Sequence, residues 1–173
     1  MRYEKLALKF FGSHALVTIL QLLLSGFLFG IFPDSQFYQW LIGLLNIIIF
    51  CVVIYADASS YGQNDLKRGT FRKSKGFLSG FIASIPGLIL YILAVSMPSV
   101  AWFTVILRIW LIPFVKLIVT FEKYSPDILI VFLALFPLIT GFSYLDGIRR
   151  REKVKKAIEK KEAMRVELSK RNS

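Results

Sequence analysis

Long uncharged runs separated by short polar segments dominate the hydropathy pattern of this 173-residue chain. Four of these runs are long enough to cross a hydrocarbon core of about 30 Å as helices that rise about 1.5 Å per residue. We predict membrane-spanning helices over residues 15–32, 37–56, 76–97 and 128–145. The predicted fold class is therefore all-α, a polytopic transmembrane helix bundle.

A fifth apolar segment, residues 100–120, carries charges that the other four lack. Arg108 lies near its centre, and Pro113 and Lys116 follow. A cation at bilayer depth costs at least about 2.5 kcal/mol, so it is kept only with a partner or near water. We predict that this segment is a partial or interfacial helix and not a complete crossing.

The basic residues form three clusters that flank the predicted spans. Arg2, Lys5 and Lys9 precede the first span, five Lys or Arg lie within residues 57–75, and eleven follow Gly147, together 19 of the 22. Cytoplasmic segments of membrane proteins carry an excess of Lys and Arg. Four crossings place all three clusters on one side of the membrane. We therefore predict that the N-terminus and the tail are both cytoplasmic.

Two regions differ in composition. Residues 1–146 form the predicted transmembrane domain, and residues 147–173 form a basic helical tail. The net charge of +11 is segregated from the apolar runs, which argues against nucleic-acid binding and for the lipid bilayer and its anionic headgroups as the partner. Four basic residues next to the last span are expected to contact those headgroups, at about 1 kcal/mol each: Arg149, Arg150, Arg151 and Lys153.

Residues 57–75 are predicted to form a solvated loop, with Gly62 and Gly69 as helix breakers. Its carboxylates, Asp57 and Asp65, do not converge with enough His or Cys to supply a metal site, which needs at least three ligands. We expect no metal, no cofactor and no catalytic residue.

Small residues recur at every fourth position where the third span begins, at Gly76, Gly80 and Ser84. Such spacing makes one helix face smooth and lets another backbone approach closely. This helix-packing seam could face a helix of the same chain or of another subunit.

Three polar residues within the apolar segments, Gln21, Asn46 and Arg108, are a candidate intramembrane polar site. The alternative for Arg108 is structural, with an ion pair to Glu122 or Asp127 or a position near the headgroups. Gln21 and Asn46 could equally serve as interhelical hydrogen-bonding groups.

The segment Gly141-Phe142-Ser143-Tyr144 has the Gly-x-Ser-x form found in intramembrane serine proteases of the rhomboid type. Those enzymes need a His facing the Ser from another helix, and His14 lies near the end of its own span. Close helix packing at Gly141 and Ser143 is the simpler interpretation.

Five short motifs follow one another over residues 61–147: Tyr-Gly-Gln-Asn-Asp at 61–65, Lys-Gly-Phe at 75–77, Ser-Ile-Pro at 84–86, Pro-Phe at 113–114 and Gly-Phe-Ser-Tyr-Leu-Asp-Gly at 141–147. With these motifs the chain resembles uncharacterised small polytopic membrane proteins of Gram-positive bacteria, over most of residues 57–155. The resemblance implies a bacterial plasma membrane and brings no activity or site residue.

The leading functional hypothesis is a non-enzymatic accessory or regulatory membrane subunit, with another membrane protein or a second copy of the chain as partner. The alternative is a small-solute or ion transport component that uses the candidate polar site. An intramembrane enzyme is the third hypothesis.

Overall fold

A computed structural model of the chain describes residues 3–31, 35–122 and 128–171, and these residues contain helices and no β-strand. Four helices are long and apolar enough to cross a membrane, and a bent pair of short helices lies between the third and the fourth. The prediction of an all-α helical bundle is therefore confirmed. The six helices are α1 (Tyr3–Ile31), α2 (Gln36–Lys67), α3 (Lys75–Ser96), α4 (Ala101–Trp110), α5 (Val115–Phe121) and α6 (Ile128–Arg171).

Long helices that follow one another along the chain run antiparallel. In α1 and α2, the Gln21 side chain bonds the backbone of Asn46, and the rings of Phe10 and Tyr61 lie 5.9 Å apart. Ser79 of α3 donates to the backbone oxygen of Tyr3, 3.2 Å away, so α3 begins beside the start of α1. These contacts bring the start of α1, the end of α2 and the start of α3 to one end of the bundle, here called the basic end.

Helix α6 runs antiparallel to α3, which fixes where the bent pair begins and ends. Gly76 lies against Tyr144, and Gly87 lies against Leu133. The end of α3 and the start of α6 are therefore both at the end of the bundle opposite the basic end. The segment between them, which holds α4 and α5, consequently enters and leaves at that same end.

The bent pair turns inside the bundle. A 3-10 turn over Ile112–Phe114 separates α4 from α5, and the two parts differ in direction by 80°. Pro113 lies in this buried turn, where its missing N–H removes one helical hydrogen bond. At the tip, the Trp110 ring stacks on the His14 ring with centroids 4.2 Å apart. The predicted partial element over residues 100–120 is therefore a re-entrant pair of short helices.

The predicted loop over residues 57–75 is wrong for most of its length, because α2 continues as helix to Lys67. Ser13 of α1 donates a hydrogen bond to the Asp57 carboxylate, so Asp57 has a partner within the bundle. Gly69 follows the C-cap residue Arg68, and its φ of 66° is the left-handed conformation that suits glycine just after a helix. The adjacent Thr70 N–H bonds the Asp65 carbonyl oxygen at 3.0 Å.

The boundary predicted at Asp146 and Gly147 is not a break either, because α6 is one helix from Ile128 to Arg171. Asp146 accepts hydrogen bonds from Tyr55 and from Arg150, four residues later. Residues 32–34 and 123–127, between predicted apolar segments, lie outside the described residues, and Asp127 is among them.

Candidate functional site

The small-residue seam of α3 faces α6 of the same chain. A Cβ on Gly80 would lie 2.0 Å from the Thr140 hydroxyl oxygen and 3.0 Å from the Cα of Pro137. A Cβ on Gly76 would lie 2.6 Å from the Cβ of Tyr144. Both positions thus require glycine for close helix contact. Of the two partners that the sequence left open for this seam, the intrachain helix is the one in contact.

The candidate polar site divides into two parts. Gln21 and Asn46 meet inside the bundle. The Gln21 side-chain amide donates to the backbone carbonyl oxygen of Asn46 at 2.6 Å, and the Asn46 side-chain amide donates to the Ser25 hydroxyl at 2.8 Å. Both side chains are fully buried, and within the described part of the chain their amide oxygens have no hydrogen-bond partner. This pair connects α1 to α2.

Arg108 pairs with Glu122. One guanidinium nitrogen lies 2.8 and 3.0 Å from the two carboxylate oxygens, and the Arg108 side chain is 43% exposed. Among the described residues, Arg108 thus forms the predicted ion pair to Glu122. It joins α4 to the residue that follows α5.

His14 and Ser143 have different surroundings. The His14 ring stacks on Trp110, meets Phe136 edge-on at 4.9 Å and lies 3.3 Å from the Thr18 hydroxyl. Ser143 lies on α6 and helps to line a groove with Cys51 and Tyr55. Among the residues that the structure describes, no hydrogen bond joins Ser143 to His14, and no group of three or more His, Cys, Asp or Glu could hold a metal ion.

A buried ionic cluster lies at the basic end, and the sequence did not predict it. The Lys75 ammonium lies 2.5 Å from the Asp65 carboxylate, and their side chains are 2% and 6% exposed. The same carboxylate accepts hydrogen bonds from Tyr144 at 2.9 Å and from Thr70 at 3.0 Å. We call these four residues the Asp65–Lys75 cluster. It ties α2, α3 and α6 together where each passes the basic end.

The cluster balances charge at a place where neither charge could remain alone. A buried ion pair is kept only when its remaining hydrogen-bonding groups are satisfied, and Tyr144 and Thr70 supply two donors to Asp65. Sequence alone places Asp65 and Lys75 in a polar stretch that looks solvated. The sequence gives one indication of this ion pair, namely that two opposite charges stand at the two ends of the short connection between α2 and α3.

The basic residues predicted to contact headgroups lie where α6 leaves the bundle. Arg150 pairs with Asp146 at 2.8 Å, and its guanidinium lies 5.4 Å from the centre of the Tyr55 ring. Arg149, Arg151 and Lys153 are exposed. Their side chains are therefore available to groups outside the protein.

Beyond Gly147, α6 projects from the bundle with large apolar side chains on its surface. Four of them are between 48% and 60% exposed, and their spacing places them on one side of the helix. We call this set the tail stripe: Val154, Ile158, Met164 and Leu168.

Comparison with known proteins does not extend this description. No protein-family model, no curated protein and no solved structure matches the chain.

Proposed function

We propose that the chain is a non-enzymatic accessory subunit of a protein assembly in a bacterial plasma membrane. The observation that carries the proposal is the tail stripe, an apolar surface on a helix that leaves the bundle. The four side chains are about half exposed, and Val154 and Ile158 line a groove together with Leu66 at the end of α2. A row of apolar side chains along one helix face is the form in which a helix binds a groove or another helix.

The charges beside the stripe indicate the chemistry of the partner. Residues 148–173 hold eleven Lys or Arg and four Glu. An amphipathic helix with acidic flanks would cover the apolar side chains and neutralise the basic ones. α6 continues directly from an apolar span, so its far end points away from the bilayer surface, which favours a protein over lipid as the occupant of Met164 and Leu168.

The proposed orientation puts this extension in the cytoplasm. The start of α1, the connection between α2 and α3, and the extension of α6 share the basic end and hold nearly all the Lys and Arg. Basic residues accumulate on the cytoplasmic side of membrane proteins. The resemblance to small Gram-positive membrane proteins supports the plasma membrane as the location.

Co-purification from native membranes tests the proposal. The tagged full-length protein is isolated in mild detergent, and bound proteins are identified by mass spectrometry. We expect a stoichiometric partner, and we expect Ile158→Ser to reduce its recovery severalfold, because the substitution removes apolar area from the stripe. Ala163→Ser, which also adds a hydroxyl to an exposed position but on the opposite face of the same helix, is the matched control and should retain the partner.

Two results would contradict the proposal. If the wild-type protein emerges alone, the accessory role is excluded and the transport hypothesis, with the buried amides of Gln21 and Asn46 as its polar residues, becomes the better one. If a partner is recovered equally with both variants, the tail stripe is not the surface that binds it.

A further inference from the structure

A cavity of about 1430 Å³ opens at the basic end, between the first turns of α1 and residues 68–75. Its lining holds the buried Lys75 and four exposed basic side chains: Lys5, Lys9, Arg68 and Arg72. We call this the basic cavity. It is separate from the tail stripe, and the inference drawn from it does not depend on the accessory role.

Among the described residues, the four exposed cations of the basic cavity form no ion pair with a carboxylate. Glu4 is the one carboxylate in the described lining. Lys9 lies 4.8 Å from the centre of the Tyr61 ring, and Arg72 donates to the Tyr3 hydroxyl at 3.4 Å. A concave surface with such an excess of positive charge attracts anions.

The Asp65–Lys75 cluster holds the wall of the cavity in place. Lys75 and Thr70 belong to both the lining and the cluster, and the Lys75 ammonium also lies 3.4 Å from the Thr70 carbonyl oxygen. The Lys75 charge is compensated by Asp65, so the cavity's uncompensated charge belongs to the exposed Lys and Arg around it. Arg68 and Arg72 therefore lie on a connection, residues 68–74, that the cluster holds in position.

We propose that the basic cavity binds a phosphate group. Arginine offers a planar fork of N–H donors that matches the oxygens of a phosphate, and lysine adds point charge. The apolar spans begin within a few residues of the lining, so the cavity is level with the headgroup layer. This position favours the phosphate of an anionic lipid headgroup over a soluble phosphate.

Thermal unfolding of the full-length protein in nanodiscs tests this inference. Nanodiscs of phosphatidylcholine alone are compared with nanodiscs that contain increasing phosphatidylglycerol, and with phosphatidylcholine nanodiscs in inorganic phosphate. We expect phosphatidylglycerol to raise the unfolding temperature, because a ligand that binds the folded state stabilises it. In Arg68→Gln/Arg72→Gln the apparent affinity should fall by roughly tenfold for each arginine removed.

The matched control removes two charges elsewhere. Lys160→Gln/Arg165→Gln changes exposed residues of the α6 extension and should keep the full response to phosphatidylglycerol. An unchanged unfolding temperature of the Arg68 and Arg72 variant in phosphatidylcholine would show that it folds. A response to inorganic phosphate alone would support the site and assign it to a soluble ligand, whereas equal responses of the two double variants would overturn the proposal.

Discussion

Asp65 is the side chain through which three helices are joined at the basic end. Its carboxylate pairs with Lys75 of α3, the most buried cation among the described residues, and accepts hydrogen bonds from Tyr144 and Thr70. Because these partners come from α3, α6 and the connection before α3, one side chain of α2 holds together segments that are far apart in sequence.

Removal of one member of the ion pair should destabilise the protein more than removal of both. We expect Lys75→Met to lower the free energy of unfolding by about 3 kcal/mol, because it leaves the Asp65 charge buried without its cation. The double variant Lys75→Met/Asp65→Leu should recover most of that loss. Unfolding in mixed detergent micelles measures both values.

The neighbouring Lys73 provides the control for this prediction. It is exposed, and Lys73→Met should change stability by less than about 0.5 kcal/mol. A double variant that is as unstable as Lys75→Met would show that packing, and not the unpaired charge, dominates at this position.

At the scale of the helices, α3 and α6 depend on glycines for their contact. We expect Gly80→Ala to lower the free energy of unfolding by about 2 kcal/mol, because the new Cβ would meet Thr140 at 2.0 Å and the Pro137 backbone at 3.0 Å. Gly12→Ala, in α1, is the matched control, since nothing lies within 4 Å of its Cβ position, and it should be neutral or slightly stabilising. Equal effects of the two substitutions would contradict a tight seam.

Two glycines have a structural role that the sequence alone did not predict. From the sequence, Gly62 is predicted to break a helix, and Gly147 is predicted to begin the tail after the last span. In the structure a Cβ on Gly62 would lie 2.2 Å from the Tyr144 carbonyl oxygen, and one on Gly147 would lie 2.1 Å from that of Ser59. Both glycines are therefore sites where α2 and α6 cross closely within continuous helix. Single-sequence composition does not distinguish a glycine that ends a helix from one that lets two helices touch.

The apolar spans and the partial element were predictable because the bilayer constrains length and charge strongly. A run of about 20 apolar residues has few alternatives to a spanning helix. Arg108 identified the segment that does not cross, and its pairing with Glu122 was among the possibilities. The Asp65–Lys75 cluster and the basic cavity were not predictable, because both arise from residues brought together only when α1, α2 and α3 pack.

At the scale of the whole molecule, the re-entrant pair determines which connections share a side of the membrane. In a Cys51→Ser background, we expect Ser99→Cys and Lys123→Cys to react with a membrane-impermeant maleimide in intact cells. If the basic end is cytoplasmic as proposed, Lys73→Cys should react only after the cells are opened. Labelling of position 123 on the side opposite position 99 would contradict the return of the chain to the end at which α4 began.

The continuity of α6 has a mechanical consequence. The backbone contact between Gly147 and Ser59 lies near the middle of this helix, with Leu129 about 27 Å to one side and Leu168 about 32 Å to the other, at about 1.5 Å per residue. Such a rod resembles a lever whose fulcrum is the crossing with α2. A partner that tilts the outer arm would move the inner arm by a similar distance, and α3, which packs along it, would move as well.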